Sequence, residues 1–283
     1  MIKIDGKKIA KKIISDLKKR PAPKKIMAAI LVGDDKASLA FLGRKEKIAE
    51  ELGIEFKLHQ LDENISQKEL EETVRRISDD GRVGGIIVQL PLPKKFDREK
   101  VLAGLDPKKD VDALQESVRS LNSLNIKIEA PVIGVVQEIL KHVSEFPEGL
   151  KFKSLNSLNI VVVGKGLLIG KPIAKWLANE SSRVSSLNSL NGLKFKVADS
   201  KTKDLKSFLT DADLVITGVG KANLIDPTWL KSGAGIIDFG FPPDLETIKP
   251  ENLNHLAFYT PTPGGTGPIL VAILFSNFFK LNN

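Results

Sequence analysis

The sequence predicts an α/β protein of two domains, each built on a parallel sheet covered by helices. Three observations carry that prediction. The first half alternates helix-type and strand-type patterns, the second half repeats the alternation, and one strand of the second half runs straight into a glycine-rich turn that opens a helix. Such alternation favours parallel pairing, because each crossover helix returns the chain to the same edge of the sheet. A length of 283 residues suits two domains of ordinary size or one large one.

In the first half, residues 5–20 read as an amphipathic helix and Ile26–Val32 as a short buried strand. Residues 36–52 read as a helix ending before Gly53, Ile54–His59 as an alternating strand, and 66–80 as a helix with Ser66 as N-cap. Gly85–Gln89 is a further buried strand. In the second half, 131–146 and 171–179 read as helices, and Ile160–Val163, Phe195–Ala198, Leu214–Thr217 and Gly235–Phe239 as strands. A last helix is expected at about 268–280, after the loop Thr260-Pro-Thr-Pro-Gly-Gly-Thr-Gly-Pro268. The hexapeptide SLNSLN occurs at 120–125, 154–159 and 186–191, at unequal spacings and with unrelated flanks, which does not fit a repeat architecture. Ser and Asn favour turns, so the copies read as loop insertions; local leucine packing or an oligomer contact is the alternative.

Composition removes several classes of chemistry. Hydrophobic residues make up 42% and charged residues 28%, the balance of a globular protein with its own cores. There is no cysteine, which excludes disulfides and thiolate zinc sites. His59, His142 and His255 are scattered, so no metal site is expected. The formal net charge is +8, but lysines such as Lys7, Lys8, Lys11, Lys12, Lys18 and Lys19 are spread along a helix and not interleaved with aromatics. That reads as a solvated surface and not as a nucleic-acid interface, with a polyanionic small substrate as a further beneficiary of the field. The start Met1-Ile-Lys-Ile-Asp-Gly lacks the apolar core of a signal peptide, and no apolar run reaches the length of a membrane span, so a cytoplasmic protein is expected.

Four segments carry candidate chemistry. Val163-Gly-Lys-Gly-Leu-Leu-Ile-Gly-Lys-Pro172 follows an apolar strand and opens a helix; Gly164, Gly166 and Gly170 fit a dinucleotide turn, although an ordinary tight strand-to-helix turn has the same outline. The next strand ends near Asp199-Ser200, where an acid favours a ribose 2′-hydroxyl and NAD, whereas Lys165 suits a 2′-phosphate and NADP. Gln89-Leu-Pro-Leu-Pro93 closes a buried strand and presents one amide at the sheet edge where ligands bind, or simply stops the strand. Ser38, Phe41 and Lys45 share one helix face, so a hydroxyl, an aromatic plate and an amine line up; taken alone, Lys45 reads more simply as a surface lysine. Asp110-Val-Asp112 is a charged loop whose carboxylates are able to grip an amino-pyrimidinone edge.

Together these segments resemble the bifunctional methylenetetrahydrofolate dehydrogenase/cyclohydrolase (FolD) family. The resemblance runs through 32–38, 41–47, VQLPLP at 88–93, KDVD at 109–112, VVVGKGLLIGKP at 161–172, SKTKDL at 200–205, GAGIIDFG at 233–240 and TPTPGGTGP at 260–268, in family order. It implies an N-terminal three-layer α/β catalytic domain, residues 1–118 plus 264–283, that binds folate, and a Rossmann-type NAD(P)-binding domain, residues 126–260. It also implies a cleft between them, a homodimer through the Rossmann domains, tetrahydrofolate derivatives as substrates, and NADP as cofactor with NAD possible. By position, Lys45 resembles the family's catalytic lysine, Gln89 its hydrogen-bonding partner and Asp112 the pterin-binding aspartate. Ser38, Phe41, Gly264, Gly265 and Pro268 match substrate-binding positions. Gly164, Lys165, Gly166, Ile169, Gly170, Asp199, Ser200, Thr217, Gly218, Val219 and Ile225 match cofactor-binding ones. The implied reaction oxidises 5,10-methylenetetrahydrofolate and hydrolyses the methenyl product to 10-formyltetrahydrofolate; one activity alone, or a non-catalytic folate or dinucleotide binder, are the alternatives.

The chain departs from the family pattern at several of these places. Phe41 stands for a usual tyrosine, Ala113 for a glycine, Gln115 for a frequent histidine, and Lys165-Gly166 for Arg-Ser. Asp199 replaces a common histidine, and 129–134 reads Glu-Ala-Pro-Val-Ile-Gly where the family has a Pro-Cys-Thr-Pro stretch.

Overall fold

The computed structural model describes residues 1–115, 128–185, 193–247 and 249–283. The SLNSLN copies at 120–125 and 186–191 lie outside the described residues. In chain order the elements are β1 Ile2–Lys3, α1 Gly6–Lys18, β2 Ile26–Val32, α2 Lys36–Glu51, β3 Phe56–Leu61, α3 Gln67–Asp79, β4 Val83–Val88 and α4 Arg98–Ala103. There follow α5 Pro131–Val143, β5 Asn159–Val163, α6 Gly170–Ser185, β6 Lys194–Ala198, α7 Leu205–Leu209, β7 Leu214–Thr217, β8 Gly235–Asp238, β9 Phe258–Tyr259 and α8 Thr266–Asn282. Two compact units result. One comprises Lys11–Pro131 with Val271–Asn283, the other Met1–Ala10 with Val132–Leu270. Among the described residues, no helix is long and apolar enough to cross a membrane.

The first of these units holds a three-stranded parallel sheet in the order β3-β2-β4. An isolated parallel bridge between Ile86 and Asp110 adds a further neighbour beside β4. All six residues of β4 are buried, as a strand covered on both faces requires. One face packs against α3 through Leu70, Val74 and Ile77, with Ile30, Val32, Ile86 and Val88 from the sheet. On α3 the Ser66 cap forms a capping box: its Oγ accepts from Glu69 N at 3.2 Å while Ser66 N donates to the Glu69 carboxylate at 2.9 Å. Gly85 lets the last helix approach the sheet, since a Cβ there would come within 2.6 Å of the Phe278 ring. Strand β3 starts two residues later than its alternation predicts. Gly53 sits at φ 67° and Ile54 N donates to Ala49 O, so both residues finish the end of α2, and pairing with β2 starts at Phe56.

The second unit holds a six-stranded parallel sheet in the order β1-β9-β8-β7-β5-β6. The chain leaves β5 in one direction to β6 and in the other to β7, the Rossmann arrangement with its switch point between β5 and β7. The compact units divide the chain differently from the sequence boundaries. Residues 1–10 and the stretch up to Leu270 group with this sheet, because β1 pairs with β9 and Gly6 N donates to Gly264 O at 2.9 Å. The SLNSLN copy at 154–159 is not an inserted loop. Leu155–Ser157 form a 3-10 turn, Leu158 is core at 2% exposure, and Asn159 opens β5 opposite Lys194. Helix α6 runs to Ser185, past the expected end at 179.

Candidate active site

Strand β2 lies between β3 and β4, so the chain leaves its carboxyl end to opposite sides, and the segments after β2 and β4 diverge there. Helix α2 grows from this edge. Asp35 caps it, its carboxylate accepting from Ser38 N at 2.7 Å, and that hydrogen bond holds the Asp35 carboxyl below its usual range. Ser38, Leu42, Lys45 and Ala49 form the buried face, spaced as one side of a helix. Lys45 is therefore not a surface lysine: 3% of it is exposed. Gln89 follows β4 directly, its N donating to Ile30 O and its side-chain Nε2 to Leu90 O at 2.9 Å. That fixes the amide so that Oε1 faces the Lys45 Nζ at 3.5 Å. The same Nζ lies 4.7 Å from the centre of the Phe41 ring.

Burial pushes the Lys45 ammonium down from the ordinary lysine range, opposed by the nearby Asp112 carboxylate. Asp112 is pushed up by burial, and Lys45 opposes that shift in turn. The pair thus sits closer to proton exchange than either group in water, which suits an amine that must both take and return a proton. The structure brings together Ser38, Phe41, Lys45, Gln89 and Asp112 in one unit, as the sequence pattern anticipated for the first three.

Asp112 is presented by a tight turn. Ala113 has φ 49°, a left-handed conformation that glycine adopts without strain, at the position where the family resemblance expects glycine. Its methyl packs against Ile128, which offsets part of the strain. Ala113→Gly should raise stability by about 0.5 kcal/mol, a small upward shift in thermal midpoint. Asp110 is fully buried at the start of the turn. Burial raises its carboxyl to about 7, against hydrogen bonds from the backbone of Gln115, Leu114 and Asp112. Because its folded value exceeds the unfolded 3.8, its contribution to stability is fully present below about pH 4 and is lost as pH rises toward 7. The ceiling is roughly 4 kcal/mol at 1.36 kcal/mol per unit. Asp110→Asn should flatten that part of the curve of thermal midpoint against pH; an unchanged slope would refute the assignment.

In the second unit, Gly164 has φ 98° and Gly164 N donates to Ala198 O of β6 at the carboxyl end of β5. A Cβ on Gly170 would overlap the Gly164 carbonyl oxygen, so the helix closes on the turn only with glycine there. Gly166 has open space around its Cα. The Ile169 side chain lies within 2.6 Å of where a Gly218 Cβ would sit, so a larger residue at 218 would force Ile169 to move. These features fit a dinucleotide pyrophosphate approaching bare backbone at the start of α6. Lys165 Nζ donates to Asp199 Oδ2 at 2.6 Å, and that bond, with one from Lys201 N, holds the Asp199 carboxyl down. Ser200 and Val219 are exposed at the same edge.

Two expected cofactor residues have buried side chains. Thr217 is fully buried and its Oγ1 donates to Asp244 Oδ2 at 2.6 Å, so the hydroxyl is already committed. Ile225 is fully buried in the core beside Val161, Leu230 and Ile236, and both its backbone groups are bonded, N to Asp244 O and O from Glu246 N. Sequence reasoning missed Asp244, which also accepts from Val219 N and Lys221 N and so shapes the loop after β7. It also missed Phe241, which is 80% exposed just beyond β8; an aromatic placed directly after GAGIIDFG was the available signal. Gly264 (φ 98°), Gly265 and Pro268 lie in this second unit, where a Cβ on Gly265 would come within 2.5 Å of Pro261 O.

A buried amine–amide–carboxylate cluster at one carboxyl edge and a glycine-lined dinucleotide turn at another are the features of a nucleotide-dependent α/β enzyme. Residues 4–112 match the model for the catalytic domain of tetrahydrofolate dehydrogenase/cyclohydrolase, and 148–283 match its NAD(P)-binding domain. The chain belongs to the tetrahydrofolate dehydrogenase/cyclohydrolase family. Among its relatives is the bifunctional protein FolD of Campylobacter concisus, 34% identical over 97% of this chain and 95% of that one. Among solved structures, the bifunctional FolD of Campylobacter jejuni matches with a TM-score of 0.83 at 29% identity, covering 98% and 97% of the two chains. The Trypanosoma brucei FolD, solved with NADP cofactor and an inhibitor, matches with 0.84 at 26% identity, covering 99% and 96%.

Proposed function

We propose that the chain oxidises 5,10-methylenetetrahydrofolate with a nicotinamide dinucleotide and hydrolyses the methenyl product to 10-formyltetrahydrofolate, as an enzyme of one-carbon metabolism. The observation that carries this reading is Lys45, buried against Phe41 and Gln89 and within electrostatic reach of Asp112. Nicotinamide, when bound, supplies the hydride acceptor; the chain's part in that step is binding and orientation. In the second step water adds to the methenyl carbon. Lys45 as free amine accepts a proton from that water, and as ammonium returns one to N5 as the carbon–N5 bond opens; the remaining proton leaves to solvent. Gln89 Oε1 orients the amine, Phe41 supplies the plate beneath a flat ring system, Ser38 lines the same helix face, and Asp112 grips the pterin edge. Gly164, Gly166 and Gly170 receive the pyrophosphate, and Gly264, Gly265 and Pro268 form a rigid wall for substrate.

NADP is the proposed cofactor, on the cation at Lys165. NAD is the second reading, favoured by Asp199, which engages that cation and presents a carboxylate where a ribose hydroxyl would bind. The reading extends to a cytoplasmic homodimer joined through the Rossmann-type units, which sedimentation of the purified chain checks. Assaying both half-reactions on one preparation, with each cofactor in turn, tests the whole proposal. Both activities are expected; a preparation active in one alone supports a monofunctional enzyme, and one that binds both ligands without turnover supports a non-catalytic descendant.

A further inference from the structure

Asp110 is a buried acid that the proposed chemistry does not use. It is fully buried, and among the described residues its Oδ1 meets no hydrogen-bond donor. A turn of this kind also closes on a neutral acceptor of the same length such as Asn, without placing a charge out of water. What the carboxylate does is visible in its bonds. Its Oδ2 accepts from Gln115 N at 3.0 Å, and the amides of Leu114 and Asp112 also point to it. Its backbone oxygen accepts from Ala113 N at 3.2 Å. It therefore ties both ends of the 110–115 turn across the left-handed Ala113. The base of the turn is anchored independently. Asp110 bridges to Ile86 beside β4, Val111 is fully buried against Gly85, and Val111 O accepts from Asn277 Nδ2 at 2.9 Å. The far end is held by Gln115 Nε2 donating to Leu105 O at 2.7 Å. Between these anchors, Asp112 alone turns its carboxyl into the electrostatic reach of Lys45.

We infer that Asp110 is a positioning residue: its carboxyl closes the 110–115 turn and thereby aims Asp112 at the folate ring and at Lys45. The inference rests on the proposed role of Asp112. A buried side chain that merely filled space would affect stability and leave the substrate constants alone. A clamp acting through Asp112 affects the folate constant selectively.

The test compares Asp110→Ala, which removes the acceptor, with Asp110→Asn, which keeps it and drops the charge. KM for 5,10-methenyltetrahydrofolate should rise about tenfold in Asp110→Ala, while the dissociation constant for NADPH, read by its fluorescence, stays unchanged. Asp110→Asn should restore the folate KM to within threefold of the parent chain. In an Asp112→Asn background, Asp110→Ala should add little, because the residue it acts through is already lost. If Asp110→Ala does not fold, Asp110→Ser, a shorter acceptor, takes its place with an intermediate KM expected. A folded Asp110→Ala or Asp110→Ser with folate KM within twofold of the parent overturns the inference, as does Asp110→Asn performing as poorly as Asp110→Ala. If Asp112→Asn itself leaves the folate KM unchanged, it is the reading of Asp112 that fails, and the Asp110 inference falls with it.

Discussion

Replacing Lys45 with methionine should lower methenyltetrahydrofolate hydrolysis by at least a hundredfold while leaving folate binding measurable. The size follows from what a positioned proton carrier contributes, about 10²–10⁴-fold in rate. Methionine is the informative substitution because Lys45 lies on the buried face of α2 between Leu42 and Ala49, where an unbranched apolar side chain fills the same space. The fold should not suffer, since an ammonium held out of water contributes little net stability. Gln89 would lose its contact to Nζ, and Asp112 would lose the cation that opposes its upward shift. Folate affinity should fall only modestly, because Phe41 and Asp112 remain. Oxidation of the methylene compound should be less affected than hydrolysis, as that step depends on orientation and not on a proton carrier.

The second large effect is expected in the other unit. Gly170→Ala places a methyl group where the Gly164 carbonyl oxygen already sits, so the turn must open or the start of α6 must move. Backbone is the obstacle here, not a flexible side chain that could step aside. Overpacking of this kind costs typically about 1–3 kcal/mol, and it removes the bare amides that receive the pyrophosphate. The dissociation constant for NADPH should rise at least tenfold and the dehydrogenase rate at sub-saturating cofactor should fall with it. Hydrolysis needs no dinucleotide and should persist. Equal loss of both activities would show that the substitution acts by unfolding the chain and not at the turn.

Much of this architecture was legible in the sequence because periodicity reports burial. Ile26–Val32 and Leu214–Thr217 appear in the structure at their expected limits, and Ser66 caps α3 as expected. The two-residue strands β1 and β9 were not, since two residues carry no period and their pairing joins opposite ends of the chain. The candidate site divides in the same way. Ser38, Phe41 and Lys45 share a face by helical geometry alone, but base rates place a lysine in solvent, and only the fold shows Lys45 buried. Gln89 and Asp112 reach it from segments with no local link to α2, and the family resemblance was needed to choose them. The burial of Thr217 and Ile225 was not legible. Asp244, 27 residues beyond Thr217, takes the threonine hydroxyl, and packing takes the isoleucine, and no local pattern announces either. Ala113 was visible as a departure from the family pattern; its cost became readable only as a positive φ.

The central claim is that Lys45 serves hydrolysis at a site separable from the dinucleotide turn. The most direct measurement is methenyltetrahydrofolate hydrolysis by folded Lys45→Met, followed at the absorbance of the methenyl group and set beside Gly170→Ala under the same conditions. The account predicts that hydrolysis disappears in Lys45→Met, with folate still bound, and survives in Gly170→Ala. Undiminished hydrolysis by Lys45→Met would contradict it.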